Sequence, residues 1–75
     1  MSDPASLVRM VNQIAANVAH HPQDRAVAEI ATHLRSSWAP SMRAALVAYL
    51  EGGGLDLTPL AAAAAEQLRA ASTKP

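Results

Sequence analysis

These 75 residues encode an all-α domain, a small bundle of three to four short antiparallel helices. Three observations lead there. Apolar residues recur at spacings of three and four in successive segments, which is the period of a helix face. No run alternates apolar with polar residues and β-branched residues never cluster, so strand signals are absent. Proline and glycine then divide the chain into four segments with joints of a few residues, short enough to make neighbouring helices antiparallel.

The first helix is expected over about 4–20. Asp3 stands before Pro4, a capping carboxylate ahead of a residue whose missing N–H is not needed in the first turn. Leu7, Val11, Ile14 and Val18 form its apolar stripe, widened by Val8, Met10 and Ala15. Pro22 ends this helix, because the residue before a proline is pushed out of the helical region. A second helix is expected over about 23–38, with Asp24 in its first turn, where the helix dipole favours an anion. Val27, Ile30, Leu34 and Trp38 share its inner face, and Arg25, Glu29, Thr32, His33 and Ser36 its outer one. Pro40 opens a third helix, expected over about 40–51, which stops at Gly52-Gly53-Gly54 with a left-handed cap. Thr58-Pro59 caps a fourth, over about 59–70, whose Leu60, Ala64 and Leu68 make a narrow stripe with little to bury. Its stripe leaves open whether it packs on the bundle or frays. One helical domain thus fills 1–71, and 72–75 read as a disordered tail.

A domain of this size buries only about 60% of the surface that its unfolded chain exposes. Alanine, a large part of its apolar content, adds little area per residue. With no cysteine, neither a disulfide nor a thiolate metal site can reinforce the fold, so marginal stability is expected. Six basic and six acidic side chains cancel, which disfavours nucleic acid and anionic membrane as partners. No stretch has the length of a membrane span or the pattern of a secretory leader, and the chain reads as cytoplasmic.

No catalytic, cofactor-binding or metal-ligating set emerges. His20 and His21 are neighbours, which on a helix point about 100° apart, a placement that disfavours a shared metal. They suit a helix C-terminus, whose partial negative charge favours a cation. Glu29 and His33 are one turn apart, a spacing equally common on solvated faces. The segment Glu51-Gly52-Gly53-Gly54-Leu55-Asp56 joins two helices instead of a strand and a helix, so it is a connector and not a phosphate cradle.

What remains is surface. Arg9, Asn12, Gln13 and His20 occupy the arc opposite the first helix's stripe, either as a wet face or as a polar contact face. In the third helix Met42, Ala45, Leu46, Tyr49 and Leu50 form one stripe, and Val47 extends it past half the circumference. One core face does not require that width, so neighbouring helices cover both flanks or a partner covers one. Trp38, the only tryptophan, sits beside the break at Pro40, as a core anchor, a docking anchor or both.

Two segments carry a resemblance. Leu7 to Ile14, with Arg9, Met10, Asn12, Gln13 and Ile14, and the later run His33, Trp38, Pro40, Met42 and Arg43 resemble the small delta subunit of NAD-dependent, molybdenum- or tungsten-containing formate dehydrogenases. The resemblance covers roughly residues 7–50. Aromatics usual in that family are replaced here at Asn17-Val18 and at Ser37, and a capping Asp between Trp and Pro is replaced by Ala39, a loss of about 1 kcal/mol at such positions.

The resemblance implies a non-catalytic accessory subunit that assembles or stabilises the larger formate dehydrogenase subunits. Those subunits would carry the bis-pterin molybdenum or tungsten, the iron–sulfur clusters, FMN and NAD, and this chain none of them. Arg9, Asn12, Gln13, Trp38, Pro40, Met42 and Arg43 are then the candidate partner interface. A maturation factor for cofactor insertion, or an unrelated helical adaptor, stands as the alternative. A helix-turn-helix DNA reader would need basic side chains clustered on the third helix, where only Arg43 lies.

Overall fold

The computed structural model describes residues 3–72. They form four helices, α1 (Pro4–Asn17), α2 (Gln23–Ser37), α3 (Pro40–Glu51) and α4 (Pro59–Ser72), with no strand among the described residues. Ser72 is the last residue of α4, so the expected tail begins inside a helix, and 73–75 lie outside the described residues. Proline marks every start: Pro4, Pro40 and Pro59 are first residues of their helices and Pro22 is the N-cap of α2. Their fixed φ is already helical and the first turn has no use for the missing N–H.

The caps are mostly backbone. Asp3 makes no side-chain bond to the helix backbone; its Oδ2 accepts instead from Ser6 Oγ at 3.4 Å. Ala39 likewise offers α3 no side-chain cap. Thr58 does cap α4, its Oγ1 accepting from the Ala61 N–H at 3.4 Å. α1 ends at Asn17, three residues short of His20, the expected end. Val18 leaves the helical region with φ −113° and ψ 9°. Hydrogen bonds then span three residues, from Val18 N–H to Ala15 C=O and from His21 N–H to Val18 C=O. Pro22 pushes His21 out of the helical region, and the three-residue bonds carry the chain from the end of α1 to it. α2 ends at Ser37 with Trp38 as its C-cap.

The core joins Leu7, Val11 and Ala15 of α1, Val27, Ile30 and Leu34 of α2, Trp38, Leu46 of α3, and Ala61, Ala64, Ala65 and Leu68 of α4. Ile14 and Val18 are half-buried against it, whereas Met10, expected to widen the α1 stripe, is 44% exposed. α4 does not pack loosely: it touches all three other helices, α2 most extensively. Three alanines on its inner face present only methyl groups, so the helix backbones approach closely and the neighbours supply the bulk. No polar or charged residue is buried among the described residues. Arg69 donates to Glu66 on the outer side of α4, and this hydrogen bond holds the Glu66 carboxyl below its ordinary range.

Candidate docking surface

Four of the seven candidate interface residues work inside the fold. Trp38 is 6% exposed and belongs to the core. Met42 is half-buried against it. The Arg43 guanidinium reaches back from α3, and Nη1 donates to the carbonyls of Trp38 at 2.6 Å, Arg35 at 3.2 Å and Leu34 at 3.4 Å. The Leu34 carbonyl also accepts from the Trp38 N–H at 3.0 Å, whereas a helix C-terminus leaves the carbonyls beyond it without helical partners, and a cation there also meets the negative end of the dipole. Asn12 bridges α1 to the connector before α4: Nδ2 donates to the Asp56 carbonyl at 2.9 Å and Oδ1 accepts from the Thr58 N–H at 3.1 Å. Arg9, Gln13 and Pro40 are exposed, with Gln13 Nε2 donating to Asn17 Oδ1 at 3.3 Å.

The seven do not form one patch. Arg9 and Asn12 share a depression of about 560 Å³ with Asp3, Tyr49 and Asp56. Pro40 and Arg43 line a different one, an open groove of about 490 Å³ along the outer flank of α3. Ala44, Val47 and Ala48 form its floor, Leu68 and Ala71 of α4 one wall, and Arg35 and Glu51 sit at its margin. None of these other groove residues belongs to the expected interface. The signal was the width of the α3 stripe: Met42, Leu46 and Leu50 turn to the core, and Val47, half-buried against the same core, carries the stripe on to this groove, where Ala44 and Ala48 stand beside it.

The connector between α3 and α4 is built as tightly as the helices. Gly53 N–H bonds Leu50 C=O and Gly54 N–H bonds Tyr49 C=O, both at 3.0 Å, the paired bonds of a Schellman cap. Gly53 takes φ 127°, which only glycine adopts without strain. A second turn follows, with Leu57 N–H on Gly54 C=O at 3.1 Å and Asp56 at φ 72°. Tyr49 Oη donates to the Leu55 carbonyl at 2.8 Å, so α1 and α3 each clamp this loop by one side chain. The Leu55 side chain is 74% exposed at its tip.

Among the described residues, titratable groups form no reactive cluster. Glu29 Oε2 accepts from Arg25 Nε at 3.0 Å and lies 3.7 Å from His21 Nε2, which ties the α1–α2 turn to α2 and leaves His33 out of the pair. The His20 and His21 rings meet at 4.1 Å between centroids. Among the described residues no group of three His, Cys, Asp or Glu side chains could hold a metal ion. No helix among them is long and apolar enough to cross a membrane.

The arrangement suits binding by surface complementarity: an apolar groove with cationic side chains at one end. No curated protein and no solved structure matches the chain. Residues 6–65 match the family described as the NADH-dependent formate dehydrogenase delta subunit FdsD, a span that takes in both candidate depressions except for Asp3, Pro4 and Ala5 of one and the α4 wall of the other, and the chain belongs to that family.

Proposed function

We propose that this chain is a non-catalytic accessory subunit that assembles or stabilises a cytoplasmic NAD-dependent formate dehydrogenase. The observation that carries the reading is the family match over 6–65. The surface supports it, because the open groove of about 490 Å³ along α3 is lined mainly by apolar side chains and suits a protein partner, and the ion pairs Arg25–Glu29 and Arg69–Glu66 lie at the surface. Formate oxidation and electron transfer belong in this reading to the larger subunits, which hold the bis-pterin molybdenum or tungsten, the iron–sulfur clusters, FMN and NAD. This chain has no cysteine with which to ligate a cluster. An NADH-linked enzyme works beside the cell's NAD pool, which is the reason to place the complex in the cytoplasm.

Deleting the chain in its source cell tests the proposal. The expected result is less active enzyme, or enzyme that dissociates or loses activity sooner on heating, with unchanged chemistry in what remains. A complex without the chain that kept normal cofactor content, stability and turnover would refute it. A large subunit that accumulated intact but without its pterin would assign the chain to cofactor insertion instead.

A further inference from the structure

The outer flank of α3 has no cover within the described chain. Pro40, Ala44 and Ala48 follow at four-residue steps, Val47 and Glu51 at another, and the two neighbouring rows form one strip along the helix. At 1.5 Å per residue that strip is about 16 Å long, roughly three helical turns. Ala44, Ala48 and Ala71 are exposed, yet their side chains have no polar group for water to satisfy. Methyl-sized floors let a second helix come close and set one larger side chain per turn between them. An extended segment would gain nothing comparable, because an all-helical fold presents no sheet edge for main-chain pairing.

Charge selects the occupant further. Arg35 is exposed at one end of the groove, and its guanidinium makes no hydrogen bond among the described residues. Its neighbour Arg43 is committed to three backbone carbonyls and adds positive charge to the same end. Glu51, at the other end, already lies in the field of Arg69. One cation is therefore left to be matched, and it marks a direction along the groove.

We infer that the α3–α4 groove receives one amphipathic helix of a larger formate dehydrogenase subunit, about three turns long, apolar toward α3 and carrying a carboxylate at the Arg35 end. The inference rests on the accessory-subunit reading and adds to it the binding site, the kind of element bound and the charge that orients it. Leu68 helps form the wall from the core side, so the groove exists only when α4 is docked. Folding of this chain and formation of its binding site are then one event.

The test uses the full chain, tagged and expressed in its source cell beside the intact enzyme. Two variants read the groove: Ala44→Gln with Ala48→Gln, which fills an exposed floor with good helix formers, and Arg35→Glu, which reverses the free charge. Both should keep the helical circular dichroism of the wild type. Capture of the larger subunits should fall about tenfold or more with the filled groove, and fall with Arg35→Glu but not with Arg35→Lys. A photo-reactive residue in place of Ala48 should cross-link to a subunit segment with apolar residues at helical spacing. Undiminished capture by the filled groove, or cross-links only to a second copy of this chain, would overturn the inference while leaving the accessory role intact. If the wild-type chain itself captured no formate dehydrogenase subunit, the accessory reading would fail and the inference with it.

Discussion

Trp38 stands beside a helix break and is nevertheless core. As C-cap of α2 it has left the helix with ψ 142°, and its ring lies among the core side chains of the bundle, 6% exposed. Truncating a buried tryptophan typically costs about 3–5 kcal/mol, while a domain at the small end of the range has only about 5 kcal/mol in total. Trp38→Ala should therefore leave the isolated chain largely unfolded by circular dichroism, and Trp38→Leu should retain most of its helicity. The wild-type chain should fluoresce as a buried indole before any partner is added, and a red emission maximum would contradict the packing. Asn12 presents the opposite case, a polar residue of exposed type that serves the fold. Its amide donates to one backbone group and accepts from another on either side of Leu57, which requires both ends of the amide. Asn12→Asp keeps the size but loses the donor and sets a carboxylate against the Asp56 carbonyl. It should lower stability by about 1–3 kcal/mol in urea unfolding, and no less than Asn12→Ala does.

Helix by helix, what could be read from the residues was whatever depends on near neighbours. Four prolines and a glycine run mark the starts of all four helices and the end of α3, and the period-three-and-four stripes of α1 and α2 name most of the inner faces. The position of α4 was not legible in that way. A stripe weighs side-chain size, whereas Ala61, Ala64 and Ala65 act through the closeness of approach they permit, which depends on the surfaces of the helices they meet. The clamp by Asn12 was hidden for a related reason: its partners lie 44 and 46 residues away. Arg43 offered a local clue in hindsight, since a cation five residues beyond Trp38, across a two-residue joint, is placed to reach the end of α2. The glycine run allows a test of the connector in which two adjacent substitutions have opposite signs. Gly52 has an ordinary φ of −82°, and an added Cβ would meet only backbone oxygens at 3.5 Å and 3.6 Å. Gly52→Ala should stabilise by about 0.4–1 kcal/mol through the unfolded chain. Gly53 has open space around an added Cβ but sits at φ 127°. Gly53→Ala should cost at least about 1–2 kcal/mol, so thermal midpoints on either side of the wild type would confirm the Schellman geometry, and equal ones would refute it.

For the whole molecule, a thin core and an open groove are two consequences of one composition. An interior built on alanine, without a disulfide and without a buried polar network, leaves little stability in reserve. A partner helix set against α3 and α4 would extend the apolar core outward across the flank that this chain leaves bare. Binding that selects the folded chain adds RT ln(1 + [L]/Kd) to its stability, about 2.7 kcal/mol when the partner is present at 100 times Kd. In a domain of this size each kcal/mol moves the midpoint by about 4–8 °C. The isolated chain should therefore unfold at a modest temperature, and its midpoint should rise by roughly 10–20 °C as purified larger subunits are added. The rise should follow the partner concentration logarithmically, with no plateau at stoichiometric mixing, because the linkage term grows with free partner. Arg9→Ala with Gln13→Ala supplies the contrast: both side chains are exposed, so the midpoint of the free chain should move by no more than about 0.5 kcal/mol in stability. If those residues also contact the partner, the stabilisation by added subunits should shrink while the free midpoint stays in place. A midpoint that ignored saturating partner would mean that the folded bundle is not the species bound, and the coupling between this core and its partner would have to be abandoned.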